Sequence, residues 1–309
     1  MASPVLAVSF WCSASNRAWT WVPRPYFGAW LIVGVVVGVS VWWSARGRRA
    51  DPLVARQTAS AGVDSGGSGP AGGNKRSRTV AMVVGTMGLW ACLDWPLATL
   101  GAGYLATAQM IRQVLMVMVV APLLLFSCPA ELAVRLVGWR KRLTVLRWSA
   151  RPIVAVPIAA VTLVAVNAPA IVVPLVQTPF GAFLLDGAWI VAGFVLWMPV
   201  QCPHPGVRRL KGAAAMTYLI GQSVVPVLPG FWMTWAEFPI YHTYEIAPRI
   251  FQGFDAVSDQ QTAAAVLQVG GMVLLWLQIS YRFLKWAYAE MDADQAARKP
   301  IAGTVASNP

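Results

Sequence analysis

The sequence predicts an all-α membrane protein, a bundle of seven transmembrane helices with its N-terminus outside and its C-terminus inside. Three observations lead there. The 309 residues are 57% hydrophobic and only 12% charged, about half the roughly 25% charge of an ordinary soluble domain. Seven apolar stretches of about 17–25 residues are each long enough to cross a bilayer. The basic residues fall in alternate connecting segments, which is the charge asymmetry that orients a polytopic chain.

In order, the spans are expected over residues 27–43, 79–95, 104–127, 152–176, 182–201, 212–235 and 262–284. Residues 1–26 form an extracytoplasmic segment, 27–285 the membrane domain and 286–309 a cytoplasmic tail. The first span is followed by Arg46, Arg48, Arg49, Arg56, Lys75, Arg76 and Arg78, and by a Gly/Ser/Ala-rich stretch over 57–74 (QTASAGVDSGGSGPAGGN) that reads as a flexible linker. After the third come Arg135, Arg140, Lys141, Arg142, Arg147 and Arg151, after the fifth Arg208, Arg209 and Lys211, and at the seventh Arg282, Lys285, Arg298 and Lys299. These segments hold 20 of the 24 basic residues; the other side has Arg17, Arg24 and Arg249, and Arg112 lies inside a span. Prolines in the fourth and sixth spans (Pro157, Pro169, Pro226, Pro229) are expected to open those helices. Trp19, Trp21, Trp43, Trp95, Trp235 and Trp286 mark span ends as interfacial anchors.

The third span is the most informative. Its run YLATAQMIRQVLMVMVVAPLLLFSCP is apolar enough to cross a membrane, yet carries Gln109, Arg112 and Gln113. The i, i+4 spacing puts both glutamines on one helix face beside Arg112 and Met116. An arginine at mid-span costs roughly 2.5–3.5 kcal/mol on insertion scales, so it faces protein or water and needs a partner. Asp186, early in the fifth span, and Asp94, closing the second, are at a suitable depth. Asp259, Gln260 and Gln261 enter the seventh span on the same side, and the loop before them adds Glu237, His242, Tyr244, Glu245 and Asp255. Two readings stay open: a site facing the exterior, or a structural polar network that sets helix register.

Function classes narrow quickly. The net charge of +12 is spread over membrane-flanking loops, which argues against a nucleic-acid partner and for the lipid bilayer. Cys12, Cys92, Cys128 and Cys202 have no CxxC spacing, and the N-terminus lacks the basic start of a cleavable signal. Walker, HExxH and GxSxG signatures are absent, Gln278 stands where a retinal protein needs lysine, and the spans hold no paired histidines for haem. Soft thioethers suit Cu(I), which makes copper the metal to consider, with Met110, Met116 and Met118 in the third span. His204, in CPHP, reads as a loop histidine.

Segments along the chain resemble the CtaG-like family of cytochrome c oxidase assembly proteins. They are WTWVPRPYFGAWL near the first span, DWPLATLGAGYLATAQM and QVLMVMVVAPLLLFSCP around the third, QTPFGAFLLDGAWIVAGFVLWMPV at the fifth and DQQTAAAVLQVGG at the seventh. The resemblance implies a seven-span protein of the bacterial cytoplasmic membrane, not itself an enzyme. It would assist maturation of a haem–copper oxidase, with oxidase subunits as partners and copper delivery as one route. The chain departs from the family where histidines are usual: Gln109 and Gln113 occupy those positions in the third span, one near Asp186 is missing, and Leu267 replaces a methionine in the seventh. Amides are poor Cu(I) ligands. On this resemblance Met110 and Met116 are the copper ligands to test, with Arg112 and Asp186 as a structural or anion-orienting pair. A metal-free scaffold and a transporter lined by Asn167 and Gln222 are the rivals.

Overall fold

The computed structural model describes residues 9–14, 17–45, 75–138, 140–225 and 227–298. The 57–74 linker, Pro226 and the end of the tail lie outside the described residues. Thirteen helices are described: α1 (Phe27–Ala45), α2 (Lys75–Leu93), α3 (Leu97–Gly103), α4 (Ala106–Ser127), α5 (Ala130–Val137), α6 (Arg140–Ser149), α7 (Pro152–Ala165), α8 (Pro169–Val176), α9 (Pro179–Gln201), α10 (Gly212–Gln222), α11 (Val227–Trp235), α12 (His242–Glu245) and α13 (256–298). Among the described residues the only extended pairing is an isolated bridge between Ser9 and Tyr26.

Four helical stretches are long and apolar enough to cross a membrane: Ala106–Ser127, Pro179–Gln201, Gly212–Trp235 and Ala256–Asp292. Two bent pairs, α2 with α3 (42°) and α6 with α7 (79°), bring the number to as many as six if each is one span. The apolar helix Phe27–Trp42 is shorter. The stretch expected as one fourth span is instead two helices broken at Val166–Ala168, where Asn167 donates to the Leu163 carbonyl at 2.6 Å and Pro169 starts α8. Proline suits a first helical position, because its missing N–H would have no partner there. Pro157 stays inside α7, which remains helical around it.

Large apolar side chains stand exposed along α1, α2, α9, α11 and α13, among them Leu31, Val35, Val83, Val191, Trp232 and Leu277. A water-soluble fold would bury such rows; lipid is the solvent they fit. The centre of the bundle is α4, two-thirds buried over its apolar window where α13 is one-third buried. Small residues let neighbours approach it: a Cβ at Gly193 of α9 would lie 2.7 Å from the Ala121 Cβ, and one at Gly88 of α2 would lie 3.1 Å from Val120 Cγ2. Close backbone approach of this kind drives helix association in membranes.

Two five-residue π turns interrupt long helices, Met116–Val120 in α4 and Val266–Gly270 in α13. A π turn disturbs the backbone ladder, and in an apolar medium every displaced carbonyl needs another donor. In α4 that donor is a side chain: Trp197 Nε1 donates to the Val117 carbonyl and Gln278 Nε2 to the Met118 carbonyl, both at 2.8 Å.

At the far end of the bundle, Cys202 and Val207 of the loop between α9 and α10 form a second small core with Ala150, which lies between α6 and α7. His204 is buried there and accepts the Gly206 N–H at Nδ1 (3.0 Å). Burial, reinforced by the Arg147 cation, holds its imidazole below the usual range. Its folded pKa therefore lies below the unfolded value of 6.5, so this stabilisation is complete above 6.5 and is lost as pH falls through the lowered folded pKa. The melting temperature of detergent-purified protein should therefore fall more steeply between about pH 7 and pH 5 in wild type than in His204→Asn, whose amide oxygen still accepts from Gly206.

Candidate functional site

The polar face of α4 is buried, and its centre is an ion pair. The Arg112 Nη2 donates to both carboxylate oxygens of Asp186, at 2.8 and 2.7 Å, with the side chains 3% and 5% exposed. Nε donates to the Cys92 carbonyl (2.7 Å) and Nη1 to Gln109 Oε1 (2.9 Å), while the guanidinium carbon sits 5.6 Å from the centre of the Trp189 ring. Every guanidinium nitrogen thus has a partner, which is the condition for keeping such a charge out of water. Gly101 makes room for the cluster: a Cβ there would lie 2.9 Å from Gln109 Oε1 and 3.0 Å from Arg112 Cδ.

Residues 9–14 and 17–26 close over this end of the bundle. Trp11 is buried and donates Nε1–H to Asp186 Oδ2 at 3.0 Å, with its ring edge-on to Phe183. Ala14 N donates to the Val176 carbonyl (2.7 Å) and Tyr104 Oη to the Arg17 carbonyl (2.7 Å). Asp94 does not reach Arg112. Its carboxylate accepts from Trp30 Nε1 (2.8 Å), Trp90 Nε1 (2.9 Å) and the backbone N–H groups of Trp95 (2.9 Å) and Tyr26 (3.3 Å), tying α1 and the segment before it to the end of α2. Asp186 is therefore the carboxylate that pairs with Arg112.

The other expected site residues separate by task. Asp259 accepts from the backbone N–H groups of Ala106 (2.7 Å) and Thr107 (3.0 Å), capping the N-terminus of α4 from α13, and Thr107 Oγ1 returns a bond to its carbonyl (3.1 Å). A carboxylate there meets unpaired donors and the positive end of the helix dipole. Gln260 accepts from Ile240 N (2.6 Å) and donates to the Met233 carbonyl (3.1 Å), fastening the loop after α11. Gln261 is exposed, one helical step round from Gln260, and joins neither group. Gln113 is buried with its Oε1 unpartnered among the described residues, and lines a cavity of about 20 Å³ with Val114, Val117, Met118, Leu163, Pro229, Leu267 and Gly271. Both π turns border that cavity.

Met110 and Met116 are buried in the central apolar cluster, which also contains Met118, Cys12 and Cys92. No group of three or more His, Cys, Asp or Glu suited to a metal occurs among the described residues. Asn167 and Gln222 donate locally, Gln222 to Tyr218 Oη at 3.0 Å, while the amide oxygens of both are buried and unpartnered among the described residues. In the loop after α11, His242 pairs with Glu245 in the open at 3.2 Å, and Tyr244 is buried, donating to the Gly101 carbonyl at 2.7 Å. Asp255 caps α13, and its bonds from Ser258 hold its carboxyl below the usual range. Sequence reasoning missed Trp11, Trp189 and the Cys92 carbonyl as parts of the site. The usable signal was Trp11, whose indole N–H requires an acceptor once buried.

Helices of this length and apolarity, organised around a buried charge pair, define a polytopic helical membrane protein. The chain belongs to the cytochrome c oxidase caa3 assembly factor family (Caa3_CtaG), whose model matches residues 65–289. No curated protein and no solved structure matches it.

Removing one member of the pair strands the other charge. Arg112→Leu or Asp186→Leu should each destabilise the fold by about 3–5 kcal/mol in denaturant titrations of the detergent-purified protein, and the double substitution should recover most of that loss.

Proposed function

We propose that this protein assists maturation of a bacterial haem–copper (caa3-type cytochrome c) oxidase from within the cytoplasmic membrane, and catalyses no reaction of its own. The observation that carries this reading is the family match over residues 65–289. The proposed topology has seven spans, with the segment 9–26 and the Arg112 cluster at the outer end and the basic loops inside. It is supported by the distribution of lysine and arginine, 20 of 24 of which fall in the four segments assigned to the inner side.

Copper is the proposed cargo, and sulfur is the donor chemistry available for it. Met110, Met116, Cys12 and Cys92 belong to one buried cluster at the core of the bundle, and thioether and thiol donors suit Cu(I). Met110 and Met116 are the ligands we assign. The Arg112–Asp186 pair, with every guanidinium nitrogen engaged, serves as the fixed frame around them and not as a ligand site. A metal-free scaffold that docks on oxidase subunits is the second reading. It is favoured by the amides of Gln109 and Gln113 at positions where a copper carrier would use imidazole.

A strain lacking the protein, grown at limiting copper, should lose the a-type band in the reduced-minus-oxidised haem spectrum of its membranes. Met110→Leu/Met116→Leu should lose it as well and regain it with added copper. Retention of the band by that variant, with loss in the deletion strain, selects the metal-free scaffold. An unchanged band in the deletion strain rejects the oxidase role.

A further inference from the structure

Helix α6 does not continue the direction of α7. Lys141–Ser149 is bent by 79° from Pro152–Ala165, so if α7 runs across the bilayer, α6 lies nearly along its surface. Its sequence, RKRLTVLRWS, has three distinct sides. Leu143 and Leu146 pack against the small core of Ala150, Cys202 and Val207. On the opposite side Lys141, Val145 and Trp148 follow one another at i, i+4 and i+7, forming one stripe. Val145 and Trp148 are 64% and 51% exposed. Arg142 on the same helix and Arg151, just past its end at the start of α7, are also exposed. Arg147 is tied back, donating Nε–H to the Gly206 carbonyl at 2.9 Å.

Charge supplies the second observation. No acidic residue occurs between Glu131 and Asp186, and Lys141, Arg142 and Arg151 have no salt bridge among the described residues. An exposed indole and valine among uncompensated cations suit neither bulk water nor hydrocarbon. They suit the boundary between them, where tryptophan sits at headgroup depth and lysine or arginine stems reach to phosphate. Neighbouring apolar positions extend that boundary: Leu136 at the end of α5 is 63% exposed and Ile153 at the start of α7 is 88% exposed.

We propose that α6 is an interfacial helix that binds anionic phospholipid headgroups through Lys141, Arg142 and Arg151, with Val145 and Trp148 set into the lipid beside them. The site lies apart from the Arg112 cluster and rests on α7 crossing the bilayer, not on the oxidase role or on copper. It anchors the loop between α4 and α7 at one leaflet, and with it the loop containing His204, which Arg147 holds. Juxtamembrane cations of this kind each favour an anionic surface by about fivefold.

Native mass spectrometry of the full-length protein, released from detergent in the presence of equimolar phosphatidylglycerol and phosphatidylcholine, reads this directly. Phosphatidylglycerol adducts should exceed phosphatidylcholine adducts several-fold in the wild type, and raised salt before transfer should reduce the excess. In Lys141→Gln/Arg142→Gln/Arg151→Gln the excess should collapse, whereas Arg17→Gln/Arg24→Gln should keep it. Equal occupancy in the wild type overturns the proposal and leaves the basic stripe to an acidic protein surface. An equal fall in the Arg17/Arg24 variant overturns it too, because lipid selectivity would then follow overall charge.

Discussion

Keeping the Arg112 guanidinium out of water obliges one whole end of this bundle to converge on it. Coulombic attraction to Asp186 is only part of what holds it there; a buried charge also needs its hydrogen-bonding groups satisfied. Here the donors and acceptors come from α2, α4 and α9, and from the segment before α1. Gln109 supplies an oxygen from the same helix, Cys92 a backbone carbonyl from the end of α2, and Trp11 a second donor to Asp186. Each contact fixes an element whose sequence is otherwise a featureless apolar run free to slide against its neighbours. In lipid, where apolar burial between helices contributes little, such polar pins set register and depth.

The same constraint acts on the backbone. The π turn in α4 and the break before α8 displace peptide groups in the apolar interior. Trp197 and Gln278 answer the α4 turn, and Asn167 answers the end of α7. Asp259 does for the start of α4 what a local cap does in a soluble protein, but from 152–153 residues away. Irregular backbone at membrane depth is tolerated only where protein surrounds it, and Val117, Met118, Val166 and Asn167, at the α4 turn and the break before α8, are all buried.

For function, the closed state of the polar cluster matters more than its existence. Gln109, Arg112 and Asp186 satisfy one another, which makes them a frame. Among the described residues the unpartnered oxygen of Gln113, the unpartnered indole N–H of Trp189 and the small cavity between the two π turns have spare capacity. The sulfur donors lie in the apolar core around that frame. Family membership ties the chain to oxidase assembly.

The amino-acid sequence by itself determined the helical class, the presence of several membrane-length apolar helices and a buried polar face on the one beginning at Ala106. Those properties follow from composition and a 3.6-residue period, which act locally. It also carried the family, because ordered segments such as DWPLATLGAGYLATAQM survive without the histidines. Only the tertiary structure decided which carboxylate meets Arg112. Asp94 and Asp186 stand at similar depth, but Asp94 is taken by Trp30, Trp90 and two backbone amides. It also divided the DQQ element, with Asp259 capping α4, Gln260 fastening a loop and Gln261 left exposed. The folding of residues 9–14 and 17–26 onto the bundle was equally hidden. Pairings such as Trp11 with Asp186, 175 residues apart, depend on how helices cross, and no periodicity within a single segment encodes that.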